Sequence, residues 1–231
     1  SRAYNGLQVA APNDHTIERL AVAVDASEHV IEQAVTRHAD LLVVHHGLFW
    51  STTAPVTGPL YRKLRLLIER PVALYASHLP LDGHRDYGNS ALLIRALGLE
   101  PDRPFGAFEG FSIGWSAEVP SLDRDAVLAR TRAAVEGPVH LIPGGPETIT
   151  RIAVVTGAGG SFIRQAAAEN IDLLVTGEGA HHTYAEAHEY GVNVAYAGHY
   201  ATEVFGVRAL AERARSLWGI EAFFIDAPSG L

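Results

Sequence analysis

Short apolar runs alternate with amphipathic stretches along much of this chain. Leu20–Val24 reads as a strand, Glu28–His38 as a helix with one apolar face, and Leu41–Val44 as a second strand. Brief apolar runs on either side of an amphipathic stretch are the signature of a βαβ unit with a parallel sheet. The pattern returns with strands at Ile152–Thr156 and Leu173–Thr176 around a helix over Phe162–Asn170. Between the two copies the sequence predicts a strand at Gly114–Val119, a helix over Leu122–Val135 and a strand at Val139–Ile142. The turn-rich Pro143-Gly144-Gly145-Pro146 follows. A further helical stretch begins near Gly198 and reaches Leu217.

The two copies are related in detail. Aligned without gaps, Arg19–Gly47 and Arg151–Gly179 match Asp40-Leu41-Leu42-Val43 with Asp172-Leu173-Leu174-Val175. A second correspondence pairs Tyr75-Ala76-Ser77-His78 with Tyr196-Ala197-Gly198-His199, and each His is followed at the same spacing by a carboxylate, Asp82 or Glu203. Shared composition of βαβ units explains part of the first match but not the second. The fold class is therefore α/β, with two related α/β domains assigned as residues 1–100 and 101–231. The 190–231 segment is expected to pack back on the first. Ligands of open α/β sheets bind at the carboxyl ends of strands, so the repeat predicts a site in the cleft between the halves.

Composition narrows the chemistry. The 231 residues are 48% hydrophobic and 19% charged, ordinary for a globular protein. A net charge of −8 argues against bulk nucleic-acid binding, which needs a basic surface. There is no cysteine, so any metal must be held by imidazole and carboxylate. Such donors suit Zn, Mn, Fe, Ni or Co better than Cu(I). No apolar run is long enough to span a bilayer and nothing resembles a signal peptide, so no membrane partner and a cytoplasmic location are expected.

Of the 12 histidines, His15, His29, His38, His84, His140 and His188 read as structural or solvent-facing. His45-His46 stands apart, because two adjacent imidazoles close an apolar strand just before Gly47. Such a pair can face two metals, or one metal and one orienting partner, or form a buried hydrogen-bonded pair. Asp82 follows Pro80 and is expected in a loop at a strand end, as a ligand or as a turn-forming residue. His199 and Glu203 lie one helical turn apart, on one face. Glu178 and His181, in Thr176-Gly177-Glu178-Gly179-Ala180-His181-His182, are candidate catalytic acid–base groups or else a water-facing helix start. Gly157-Ala158-Gly159-Gly160 lacks a full nucleotide fingerprint and reads as a tight βα turn.

Four motifs occur in one order: Asn5-Gly6-Leu7-Gln8-Val9, Val44-His45-His46-Gly47-Leu48-Phe49-Trp50, His78-Leu79-Pro80-Leu81-Asp82 and Gly198-His199-Tyr200-Ala201-Thr202-Glu203. Together they resemble the dinuclear metal centre family of GTP cyclohydrolase I type 2-like, interacting-factor-like proteins, and Leu79-Pro80-Leu81-Asp82 with Gly88-Asn89 resembles most of all its compact bacterial members. The resemblance implies two divalent metal ions per chain, with His46 and Asp82 on one, His45 and His199 on the other, and Glu203 bridging. His78 falls outside that ligand set, although the internal repeat makes it as good a candidate as His199. The resemblance also implies a ring-shaped homohexamer, and a helix ahead of the Asn5 motif that is expected to precede Ser1. The implied activity is metal-dependent hydrolysis of a nucleotide, with water attack on a guanine imidazole ring and loss of formate. A non-catalytic regulatory or interaction scaffold is the alternative, and a phosphatase or nuclease acting on damaged nucleotides is a third reading.

Overall fold

The computed structural model describes residues 3–12, 16–51 and 54–230. His15 lies outside the described residues. Two compact units emerge, 1–81 with 206–227, and 82–205 with 228–231. The chain crosses between them at Leu81/Asp82 and again at Phe205/Gly206. The division falls earlier than the 100/101 boundary expected from sequence. The reason is the helix at Asn89–Ala96, whose Leu93 and Ile94 belong to the second core.

The first unit contains β1 (Gly6–Val9), β2 (Arg19–Asp25), α1 (Glu28–Thr36), β3 (Leu41–His46), α2 (Gly58–Glu69) and β4 (Ala73–Ala76). A single helical turn, α3 (Leu79–Asp82), ends it, its last residue belonging to the second unit. The second contains α4 (Asn89–Ala96), β5 (Arg103–Phe108), β6 (Phe111–Asp123), α5 (Arg124–Val135), β7 (His140–Pro143) and β8 (Thr148–Val155). It continues with a 3-10 turn (Gly160–Phe162), α6 (Ile163–Ala168), β9 (Leu173–Thr176), α7 (Thr183–Tyr190) and β10 (Asn193–Tyr196). The long helix α8 (His199–Trp218) begins in the second unit and ends in the first, where β11 (Glu221–Phe224) pairs with β2.

Each sheet has the same central pattern. In the first, strand order is β1-β4-β3-β2-β11, with β2, β3 and β4 mutually parallel and β1 antiparallel at one edge. In the second, order is β5-β6-β8-β9-β10-β7, with β8, β9 and β10 parallel and β7 antiparallel beside β10. The sequence repeat is visible down to single hydrogen bonds. Asp40 Oδ2 accepts from Glu18 N and Arg19 N, at 2.8 and 2.7 Å. Its counterpart, Asp172 Oδ2, accepts from Thr150 N and Arg151 N, at 2.7 and 3.0 Å. Just before each aspartate, a left-handed residue, His38 (φ 55°) or Asn170 (φ 56°), turns the helix back toward the next strand. That conformation is tolerated by few side chains, Asn among them.

Each sheet carries its own core. Ala21, Ile31, Leu42, Val44, Leu67 and Leu74 fill the first, and Ile94, Leu128, Ile152, Val154, Leu173 and Val175 fill the second. The central parallel strands read as continuous apolar runs because both faces are covered. Helix α1 starts where the Ser27 hydroxyl caps Val30 N at 3.2 Å.

Two local expectations shift. Helix α5 begins at Arg124 rather than Leu122, because β6 runs on to Asp123, whose carboxylate caps Asp125 N. Asp82 closes the one-turn helix α3 instead of lying in a loop. Pro80 sits near the start of that turn, where its missing N–H costs nothing. Gly157–Gly160 forms the expected tight turn after β8, opening into the 3-10 turn.

Candidate metal centre

In the first unit, functional side chains gather where parallel strands end. Asp25 closes β2 and His46 closes β3, and the two are register partners. His46 Nδ1 lies 2.8 Å from Asp25 Oδ1. His45 Nδ1 lies 2.9 Å from Ser77 O, which can only accept, so Nδ1 carries the proton. In both rings the donor role falls to Nδ1 and the lone pair to Nε2, the tautomer in which imidazole ligates a metal. His78, just beyond β4, completes a trio whose ring centroids are 4.6 Å (His45–His46), 5.0 Å (His45–His78) and 5.2 Å (His46–His78) apart. One ligand nitrogen from each falls within 4.8 Å of the others. His78 is anchored by its backbone N–H, which donates to Asn5 Oδ1 at 2.7 Å, and Trp50 meets its ring edge-on at 5.2 Å. His45 is fully buried; His46 is only partly covered.

Within the second unit, two carboxylates and an imidazole lie together. Glu203, on the first turns of α8, is buried, and its Oε2 lies 3.2 Å from His199 Nε2. The carboxylates of Asp82 and Glu203 each offer an oxygen within 4.8 Å of the other. His199 Nδ1 meets Glu178 Oε1 at 2.8 Å. Glu178 therefore serves His199 as Asp25 serves His46. His181 is exposed at the turn before α7 and belongs to none of the described groups that could hold a metal ion. Asp82 Oδ1 accepts from Asn89 Nδ2 at 2.9 Å and from Thr156 Oγ1 at 3.1 Å.

Two glycines make this packing possible. Gly157 has φ +65°, and a Cβ there would lie 2.3 Å from Glu203 Oε1 and 3.2 Å from His199 Nε2. Gly177 is the repeat partner of His45, and a Cβ there would meet Gly157 O and His199 Cα, each at 2.7 Å. No side chain fits at that strand end, which explains why the repeat carries imidazole at His45 and only backbone at Gly177.

The residues fit a divalent cation. Two buried carboxylates this close repel each other, and a cation between or beside them offsets that repulsion. In the metal-free arrangement His199 supplies positive charge instead. Its pKa is pushed up to about 9, first by the hydrogen bond to Glu203, with burial opposing and Glu178 adding to the rise. The donor set is imidazole and carboxylate only, as the absence of cysteine requires. Groups of His, Asp and Glu able to hold a metal ion are thus present among the described residues.

Comparison with known proteins decides the family. The family model Duf34/NIF3 (NGG1p interacting factor 3) matches residues 1–229. The chain belongs to this family. A relative from Halobacterium salinarum, named GTP cyclohydrolase 1 type 2 homolog, is 47% identical over 99% of this chain and 91% of its own length. One of the same name from Deinococcus radiodurans is 42% identical over 98% and 86%. Among solved structures, TTHA1606 from Thermus thermophilus is similar at a TM-score of 0.90 and 36% identity, over 100% of this chain and 91% of that one. Reduced HcgD from Methanocaldococcus jannaschii is similar at a TM-score of 0.86 and 29% identity, over 96% and 89%. Like those relatives, this Duf34/NIF3 chain is α/β; no helix among its described residues is long and apolar enough to cross a membrane.

Sequence reading singled out His45, His46, Asp82, His199, Glu203, Glu178 and His181. It did not single out Asp25, Asn89 or Thr156. Asp25 had a faint signal, a carboxylate at the end of the strand that β3 pairs with. Asn89 enters only through the Gly88-Asn89 pair of the resemblance and Thr156 only as a strand end, because their role comes from tertiary packing around Asp82. The five histidines read as bland that fall within the described residues (His29, His38, His84, His140 and His188) are all exposed.

Proposed function

We propose that this protein is a dinuclear divalent-metal hydrolase acting on a nucleotide, with His45, His46, Asp82, His199 and Glu203 as the ligand set. The observation that carries the reading is the orientation of the imidazoles. His45 and His46 each commit Nδ1 to an oxygen acceptor, which points Nε2 to ligand duty. Glu203 neighbours both His199 and Asp82, which suits a carboxylate that uses its two oxygens on two ions. Divalent ions held there supply an acidified water and positive charge against a developing anion. The protein's own part is to fix geometry: Asp25 orients His46, Glu178 orients His199, and burial of His45, Asp82 and Glu203 keeps competing water away. Glu178 is half exposed and can also exchange protons with solvent.

The names of the curated relatives make a guanine nucleotide the first substrate to try. The family description as an interacting factor favours the second reading, a metal-binding scaffold without turnover. A homohexamer remains part of the proposal and is read by sedimentation of the purified protein. The deciding experiment incubates Fe-, Mn- or Zn-loaded protein with GTP and a panel of other nucleotides, and follows formate and phosphate release. Formate release that disappears in Asp82→Ala supports the cyclohydrolase reading. Phosphate release alone points to phosphatase chemistry. Bound metal with no turnover on any nucleotide overturns the hydrolase reading and leaves the scaffold.

A further inference from the structure

Two side chains grip Asp82 by the same oxygen. Asp82 ends the one-turn helix α3 and is 5% exposed. Its Oδ1 receives the amide of Asn89, the first residue of α4, at 2.9 Å, and the hydroxyl of Thr156, just past β8, at 3.1 Å. Asn89 is fully buried and Thr156 nearly so.

The hydroxyl directions are fixed by what surrounds them. Ser90 Oγ donates to Ile113 O at 3.2 Å and accepts from Thr156 N at 3.3 Å. A serine hydroxyl has one proton to give, and a carbonyl can only accept. Thr156 Oγ1 also lies 3.5 Å from Ser90 Oγ, but the Asp82 carboxylate is the nearer partner, at 3.1 Å, and can only accept, so the Thr156 proton goes to Asp82. Two donors on one carboxylate oxygen fix the plane of the group. With Oδ1 so committed, a cation reaching Asp82 is met by Oδ2.

We propose that Asn89 and Thr156 are positioning residues, which engage Oδ1 of Asp82 so that the carboxylate presents Oδ2 to a divalent cation as a single ligand atom. This rests on the metal-binding reading above. It adds that the geometry of the Asp82 ligand is set from the α4 start and the β8 end, neither of which supplies a ligand. Partners that orient a metal ligand typically change affinity by about 10–100-fold when removed, and that is the size expected here.

The test uses the full chain, stripped with a chelator and reloaded with Co2+, with affinity read by competition against a chelating dye. Thr156→Val keeps the side-chain shape and removes the donor; Thr156→Ser keeps the donor. Thr156→Val should lose about 10–100-fold in Co2+ affinity and alter the visible absorption of the bound Co2+. Thr156→Ser should keep the wild-type affinity and spectrum. If Thr156→Val does not fold, Asn89→Ala withdraws the other donor and carries the same expectation. Thermal unfolding of the chelated variants separates a loss of fold from a loss of ligand geometry. Wild-type affinity and spectrum in Thr156→Val would overturn the proposal, as would a Thr156→Ser variant that behaves like Thr156→Val. A wild-type protein that takes up no Co2+ would remove the metal reading itself, a result distinguishable from either.

Discussion

Replacing Gly157 by alanine separates backbone strain from interference with the site. Gly157 (φ +65°) and Gly191 (φ +68°) have almost the same left-handed backbone. An alanine in that conformation costs roughly 1–2 kcal/mol, which for a chain of this size lowers the unfolding midpoint by about 2–8 °C. Both substitutions should show that loss. They differ in what the new methyl meets. At Gly191, which ends α7, nothing lies within 4 Å. At Gly157 the methyl would stand 2.3 Å from Glu203 Oε1, so Glu203 must swing away. Because Glu203 is a side-chain tip, the added cost in stability is small; the geometry with His199 is what suffers. Gly157→Ala should therefore match Gly191→Ala in thermal unfolding after chelation, yet bind Zn2+ about 10–100-fold more weakly, as for a displaced metal ligand. Equal Zn2+ affinity in the two variants would refute the reasoning, because it would mean that the Glu203 position does not matter to the cation.

Four other outcomes follow. Asp25→Asn should weaken metal binding about tenfold or more with little change in unfolding of the chelated protein, because Asp25 is half exposed. Glu178→Gln should likewise lower metal affinity if Glu178 acts by orienting His199; a fall in kcat at unchanged metal affinity would assign it to proton transfer instead. Asp40→Ala and Asp172→Ala, read by urea unfolding, should each cost about 1–3 kcal/mol, since each strips the acceptor from two backbone N–H groups. In the chelated protein the His199 pKa is raised to about 9. The stability it contributes is fully present below its ordinary value of 6.5 and is lost as pH rises through about 9. A pH series of unfolding with wild type and His199→Gln should therefore converge at alkaline pH.

Much of the fold was legible because it depends on local pattern. The parallel strands are continuous apolar runs, and the repeat of Asp40-Leu41-Leu42-Val43 in Asp172-Leu173-Leu174-Val175 proved to be one turn device used twice. What escaped was non-local. The start of α5 moved because β6 continues past Pro120 with a register shift between Glu118 and Leu122, an irregularity that pairing with β8 determines. The division into units moved because α4 packs on a sheet formed mostly later in the chain. At the site, His45-His46 and His199 with Glu203 announced themselves by adjacency and helical spacing. The role of Glu178 was different in kind. Its place at the strand end that repeats His45-His46 suggested acid–base work, whereas its carboxylate meets His199 Nδ1, a partner some twenty residues away that no spacing rule connects to it. The repeat also pointed to His78, and the structure does set it beside His45 and His46. The roles of Asn89 and Thr156 were not legible because only the folded chain brings them to Asp82.

The proposed function stands on a proposed ligand set, His45, His46, Asp82, His199 and Glu203, for two divalent ions. The most direct measurement is elemental analysis of metal per chain in anaerobically purified wild type and Glu203→Ala, each also reloaded with Fe, Mn and Zn. The account predicts near two ions per chain in wild type and far fewer in Glu203→Ala. No metal in the reloaded wild type, or an unchanged count in Glu203→Ala, would contradict it.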